Sequence, residues 1–317
     1  MNFPGLSPLR LAGAACCLLI PCWNPSSAGF VDQVIEDFAN SEIEFQRSDS
    51  NVPFFPLGFV DINLYQDTEV NRPDLDPLSF DLASISQGAA LPILLDADEA
   101  LFIGEYVSLS RFDARESNAE DFDVVSLGLP LGWLRQVNRD WQAAAFIMPL
   151  AHRANLDNSD WSGEVLGGAF ARQVQTDRLW WVYGFYFDVG EGEDLYLPYL
   201  GASWQLDDQL TISAILPWPA VLYSPDRDSL YRFGAAPSGA SWALNAAEDQ
   251  VNYTLGNWNL GASAEYRLGG NFWLGVEAGV AGMRSLRLEG GQWEGAEFDI
   301  DNTGYVRIAL NYRPEVP

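Results

Sequence analysis

The chain is organised by alternation. From Phe122 to Leu134, Val125, Leu127, Leu129, Leu131 and Trp133 share one face of an extended segment, opposite Ser126, Gly128, Pro130 and Gly132. The same period of two returns later. Leu260, Ala262, Ala264, Tyr266 and Leu268 oppose Gly261, Ser263, Glu265 and Arg267, and Phe272, Leu274, Val276, Ala278 and Val280 oppose Trp273, Gly275, Glu277, Gly279 and Ala281. Trp181, Tyr183, Phe185 and Phe187 form one face of a further segment. A soluble sandwich would turn such apolar faces inward, whereas a membrane barrel turns them to lipid and keeps small or polar residues for its lumen. Segment length favours the barrel, since many segments run for about ten residues or more, enough for a tilted membrane crossing.

The connections support the same architecture. Asp96–Ala100, Arg135–Asp140, Gln175–Arg178, Asp207–Gln209 and Gly269–Gly270 are short. Between them fall longer, mostly acidic stretches at Asp67–Pro77, Asp113–Asp121, Arg153–Ser162, Pro225–Asn252 and Glu289–Ala296; Gly190–Asp194 joins this second set by its charge. Short periplasmic turns and long outside loops characterise outer-membrane barrels. The expected fold is therefore all-β, an antiparallel transmembrane β-barrel of about twelve strands. These are placed at 54–66, 78–95, 101–112, 122–134, 141–152, 163–174, 179–189, 195–206, 210–224, 253–268, 271–288 and 297–312. Tyr231–Phe233 and Ser241–Leu244 are candidates for extra strands within the longest loop. Pro92, Pro130, Pro149, Pro198 and Pro217 fall inside expected strands, where proline removes a ladder donor, so they are expected at rims, bulges or irregular edges. The last strand places Val306, Ile308, Leu310 and Tyr312 on one face. This resembles the C-terminal assembly signal of outer-membrane barrels, except that Arg313–Pro317 follows the aromatic.

The beginning of the chain reads differently. Arg10, the apolar run Leu11–Ile20, and Ser26 and Ala28 before Gly29 have the order of a secretory signal peptide, expected over residues 1–28. Residues 29–50 are expected to be a periplasmic segment, either a tail or a plug, with Val31, Val34, Ile35 and Phe38 spaced as a short helix over Val31–Ala39. The barrel is assigned to 51–317. Cys16, Cys17 and Cys22 all precede the cut, so disulfide, thiolate-zinc and thiol chemistry are not expected of the mature chain.

Composition sharpens this picture. Aromatics make up 13% of 317 residues, including 12 Trp and 12 Tyr, as interfacial girdles require. The net charge is −27 and every basic residue is Arg, which leaves no basic footprint for nucleic acid.

The run Tyr196-Leu197-Pro198-Tyr199-Leu200-Gly201-Ala202-Ser203-Trp204, followed by Leu210-Thr211-Ile212 and Ile215-Leu216-Pro217, resembles an uncharacterised family of bacterial outer-membrane β-barrels known only as a domain of unknown function. Trp141 and Met148-Pro149 fit as well, and the resemblance covers residues 80–312. It implies a barrel in the outer membrane and brings no substrate and no catalytic residues.

Candidate chemistry is sparse. His152 is the only histidine, and no serine lies near it in a recognisable frame; Ser159 and Ser162 are in the next loop. A polar rim residue is the expected reading, and no enzyme activity and no cofactor are expected. Two roles are open for the acids. Asp113, Glu116, Glu120 and Asp121, and Glu191, Glu193 and Asp194, are candidate cation-attracting loop residues, as are Asp67, Glu69, Asp74 and Asp76. Glu265, Arg267 and Glu277 are candidate lumen-facing charges, with Glu265 and Arg267 as a candidate pair. The expected partners are outer-membrane lipid, lipopolysaccharide and the barrel assembly machinery. The expected function is a passive channel or transporter for an unidentified small solute. The alternatives are a structural barrel acting through its acidic loops and, last, a membrane lipid hydrolase.

Overall fold

A computed structural model describes residues 25–44, 50–71, 77–115, 120–190, 194–246, 249–290 and 295–314. The expected signal peptide, with its three cysteines, lies outside the described residues up to residue 24. The wall is one antiparallel sheet that closes on itself, with β1 (Gly58–Val70) paired to β17 (Thr303–Tyr312) from Gly58↔Tyr312 to Tyr65↔Tyr305. Between them run β2 (Leu78–Asp96), β3 (Glu99–Ala114), β4 (Phe122–Gly128), β5 (Leu131–Asn138), β6 (Trp141–Ala154), β7 (Ser159–Asp160), β8 (Ser162–Thr176), β9 (Leu179–Gly190) and β10 (Asp194–Gln205). They are followed by β11 (Leu210–Leu216), β12 (Ala220–Asp226), β13 (Ser229–Ala246), β14 (Asp249–Gly269), β15 (Phe272–Glu289) and β16 (Ala296–Ile300). β4 and β5 are two halves of one wall strand, as are β16 and β17, and β7 is a short piece off the ring, so the wall has about 14 strands.

The two strands beyond the expected twelve arise at one place. The expected strand 210–224 is a hairpin: β11 rises to Leu216, the chain turns through Pro217-Trp218-Pro219, and β12 descends. The expected long loop Pro225–Asn252 is β13 and the start of β14. Flanking prolines stop strand pairing at Leu216. Alternation is weak in β13 because its middle, Gly234-Ala235-Ala236-Pro237-Ser238-Gly239-Ala240-Ser241, is almost all small residues. A side chain would not fit at two of these positions: a Cβ on Gly234 would lie 2.6 Å from the Pro219 carbonyl oxygen, and one on Gly239 would lie 2.5 Å from that of Leu255.

This hairpin leaves a gap in the upper wall. β10 pairs with β11 only from Leu200 downwards, so residues 194–199 are hydrogen-bonded on the β9 side alone. Residues 236–242 of β13 pair only with β14. Pro198 and Pro237 lie on these two edges, where a missing N–H facing the gap costs no ladder bond. Pro130 similarly marks the break between β4 and β5, and Pro217 the hairpin turn. Above the gap β13 leans across the lumen, and Ala243 and Leu244 pair with Asp160 and Ser159. A bulge between β14 and β15 at Met283 bends the same sheet. Trp242 thereby enters the upper lumen. Its ring lies 5.2 Å from Phe112 and 5.5 Å from Phe122, and stacks on Tyr253 at 5.5 Å, inside a buried cluster with Tyr65, Phe80, Leu82 and Leu255.

The faces follow the membrane sense. Val125, Leu127, Leu129 and Leu131, with Leu260, Tyr266 and Leu268, and Phe272, Leu274, Val276 and Val280, are exposed on the outside. Ile62, Ile308 and Val276 sit directly opposite one another on three neighbouring strands as one row of this belt. One residue along, Asn63, Arg307, Glu277 and Ser263 form the matching inward row.

The short-turn end is covered by the N-terminal segment. Helix α1 (Pro25–Ala39) starts before the expected Val31, so the expected cut after Ala28 falls within it. Phe38 is 1% exposed and packs edge-on to Phe102 at 5.4 Å and against Phe54 at 6.4 Å. Glu42 N donates to the Ala97 carbonyl at 2.8 Å in the β2–β3 turn, and Gln142 Nε2 donates to the Glu44 carbonyl at 2.5 Å. Residues 50–57 then run as a strap across the mouth. Asn51 N donates to the Asp208 carbonyl at 2.8 Å, Arg313 donates to the Phe54 carbonyl at 2.7 Å, and Leu57 N donates to the Tyr312 carbonyl at 2.9 Å.

Two outcomes follow from this arrangement. Ile308→Arg, on the lipid-facing row, is expected to cost about 2–4 kcal/mol if it lies near mid-bilayer. Ser263→Arg, inside and beside Glu277, should cost clearly less; urea unfolding in lipid bilayers gives the order, and the reverse order would place the apolar face inside. Arg313 and Glu265 pair at 2.9 Å with both side chains nearly buried. Arg313→Met leaves that carboxylate without its cation and should cost roughly 3–5 kcal/mol. The double variant with Glu265→Gln should recover most of this loss in the same unfolding assay, and an additive double variant would mean the pair is not coupled.

Candidate functional site

Three cavities lined by described residues lie in the lumen and differ in chemistry. The first is a polar chamber of about 370 Å³ along β1, β13–β15 and β17. Here the inward row becomes a charge network. Arg307 donates to Asp61 at 2.7 Å, Tyr305 donates its hydroxyl to Glu277, and Arg232 stands 4.0 Å from the same carboxylate. Asn311 and Arg313 both donate to Glu265 at 2.9 Å. Three arginines thus face three carboxylates, so this side of the lumen carries little unbalanced charge.

Glu265 and Glu277 both line this chamber. Arg267 does not pair with Glu265. It reaches Asp228 in the β12–β13 turn at 3.5 Å and the Gly270 carbonyl at 2.5 Å. The β12–β13 turn was expected to be open loop, which is why this partner was not foreseen.

The described loop acids pair with arginines or stand apart. Asp113 accepts from Arg111 at 2.6 Å, and Asp121 lies 3.9 Å from the same guanidinium. Asp67 pairs with Arg115, which also donates to Asp81 at 2.8 Å. Glu120 is exposed, Asp194 is exposed at the start of β10, and Glu69 lies near the top of β1. Glu116, Glu191, Glu193, Asp74 and Asp76 lie outside the described residues. Among the described residues no group of three or more His, Cys, Asp or Glu side chains is placed to hold a metal ion.

The second cavity, about 590 Å³, occupies the lower lumen above the strap. Its walls are mainly apolar and aromatic, with Phe54, Phe102, Phe146, Phe170, Trp180 and Tyr199 prominent, and a polar minority includes Arg172, Asp177, Gln142 and Gln205. An aromatic chain marks its upper limit: Phe170 lies 4.9 Å from Tyr199, and Trp218 lies 5.5 Å from Tyr199 and 5.6 Å from Tyr186. Trp218 comes from the Pro217–Pro219 turn, so the short hairpin that opens the wall also supplies this residue.

The third cavity, about 540 Å³, lies above Trp218 and reaches the wall gap at Leu195 and Pro237. It contains His152. Cross-strand register places Ser126 and Ser162 directly opposite His152 on its two neighbouring strands. His152 Nδ1 lies 2.8 Å from Ser126 Oγ, and Nε2 lies 3.3 Å from Glu164 Oε2. Glu164 also contacts Asp188 and Ser241, and Tyr186 donates to Asp188 at 3.5 Å. His152 is thus a buried lumen residue and not a rim residue, and it does have a serine beside it. Sequence proximity could not reveal Ser126, 26 positions away; only the strand register brings the two together. The Ser–His–Glu line resembles a nucleophile, base and acid. Acyl transfer also needs donors aimed at the developing oxyanion, and the paired strand N–H groups around Ser126 and Ser162 are engaged in the ladder.

No family model and no curated protein matches the chain. Several solved outer-membrane structures align with it at low similarity. The toluene transporter TodX of Pseudomonas putida is 9% identical over 81% of this chain and 88% of its own, with a TM-score of 0.41. A FadL homologue from Pseudomonas aeruginosa is 12% identical over 80% and 89%, also at 0.41. The translocator domain of the autotransporter NalP from Neisseria meningitidis is 9% identical over 93% and 99%, at 0.39. The resemblance to an uncharacterised barrel family thus gains no family assignment, and the fold rests on the strand register described above.

Proposed function

We propose that this protein is an outer-membrane channel for a small, largely apolar solute. The observation that carries the reading is the aromatic cavity of about 590 Å³ within the ring. A water-filled porin lines its lumen with polar groups throughout, and this lower chamber does the opposite. The outward apolar belt on a closed antiparallel sheet supports placement in a bilayer, where every wall N–H and C=O must be paired within the sheet.

The ends of the lumen define the route. The Trp242 cluster fills the upper lumen, and α1 with the strap covers the short-turn mouth. The wall gap above Trp218 is the way in from the outer side, and displacement of the strap is the way out. Magnitudes fit carriage and not storage. A one-ring solute burying roughly 150 Å² gains about 4 kcal/mol, which corresponds to millimolar binding. Such a solute enters readily and leaves readily.

Vesicles with lipopolysaccharide in the outer leaflet test this, because a plain phospholipid bilayer is itself freely permeable to an apolar solute. Ethylbenzene should equilibrate measurably faster across membranes containing the protein, while arabinose, of similar size, should not. Phe38→Ala, which unseats the strap at a cost of roughly 3–5 kcal/mol of local packing, should increase the flux. Equal passage of the sugar would indicate an open porin. No passage of either solute, with or without Phe38, would favour the structural barrel.

A further inference from the structure

The cavity beside the wall gap has a polar end that an apolar solute does not use. Glu164 and Asp188 meet there, facing a single imidazole. Among the described residues no arginine lines this cavity, whereas the polar chamber on the other side of the lumen matches each of its described carboxylates with a guanidinium. The contrast between the two chambers is chemical. One is internally neutralised by guanidinium groups, and the other sets two carboxylates against one imidazole.

A second observation indicates that the cluster faces a ligand. Ser162 is 5% exposed, lines the cavity, and its Oγ has no hydrogen-bond partner among the described residues. A buried hydroxyl left unmatched costs free energy of the order of 1–3 kcal/mol unless something in the cavity bonds to it. Ser162 and Glu164 are two residues apart on β8, so both side chains project to the same face. Next to this polar end, along the same strands, lie Leu166, which faces Asp188 across the ladder, and Tyr186, with the Trp218 ring 5.6 Å from it; they offer ring faces and an aliphatic wall.

We propose that this cavity is a binding site for a primary ammonium carried on an apolar, ring-sized body. The ammonium has three donors and no acceptor, which suits the carboxylates of Glu164 and Asp188 and the Ser162 hydroxyl. The body rests against Trp218 and Tyr186, whose faces also attract a nearby cation. The inference rests on the channel reading only in that the cavity adjoins the proposed entry, and it names the class of solute that the entry selects.

Isothermal titration of the purified, detergent-solubilised protein tests it with three probes of one shape: 2-phenylethylammonium, 2-phenylethanol and phenylacetate. The amine should bind at least about tenfold more tightly than the alcohol, and the acid should bind most weakly. Glu164→Gln and Asp188→Asn should each remove most of the amine's advantage over the alcohol. Retained alcohol binding shows that the variant is folded. Ser162→Ala, a smaller change, should weaken the amine alone. Equal binding of amine and alcohol, or an amine advantage that survives Glu164→Gln with Asp188→Asn, overturns the proposal while ethylbenzene flux continues to support the channel. Failure of the flux as well would remove both readings.

Discussion

A bilayer offers the backbone no hydrogen-bond partners, and most features of this protein follow from that. A sheet satisfies itself in such a solvent only by closing, and here β1 and β17 complete the ring. Closure with both ends of the chain on one side requires an even number of strands. Once the ring is closed, the pleat sorts residues: Ile62, Ile308 and Val276 face lipid, and Asn63, Arg307 and Glu277 face inward. The constraint also makes the upper-wall gap conspicuous. Two strand edges stop pairing within the wall, and each carries a proline, at Pro198 and Pro237. The β13 edge additionally leans away from the lipid boundary toward β7. Irregular backbone at membrane depth is tolerable where it borders a cavity, and this edge does.

The lumen is divided by the same logic. Charged groups in the polar chamber occur as matched partners, because an isolated charge beside low-dielectric walls is expensive. In the aromatic chamber Arg172 is held instead by the Gln142 side chain and the Trp180 ring. Trp218 stands between the aromatic chamber and the His152 cluster, so a solute entering from the gap would meet a polar test before an apolar one.

Much of this was legible in the chain. The period-two faces of 122–134, 179–189, 253–268 and 271–288 predict both the strands and their outward sides, because alternation records the pleat directly. Between Pro217 and Ser241 the chain hid most of its structure for the opposite reason, although Tyr231–Phe233 and Ser241–Leu244, read as candidate extra strands, do lie in β13. A strand that bends into the lumen is built from glycine, alanine and serine, and those residues leave no hydrophobic period. Ser126, His152 and Glu164 were invisible as a set, since their neighbourhood is made by register between strands and not by sequence spacing. Arg267 was assigned the wrong partner because its true one lies in a turn that the sequence disguised as loop.

The strap carries a consequence for how the molecule is made. Arg313 reaches back 259 positions to the Phe54 carbonyl, and Leu57 bonds to Tyr312. The cover over the mouth is therefore fastened in part to β17, the strand that closes the ring. Neither contact can exist until that strand has docked, so the lid is fully fastened only on a finished wall. An incompletely assembled barrel would leave its lower chamber uncovered, and protection of the strap from protease would report the moment of completion.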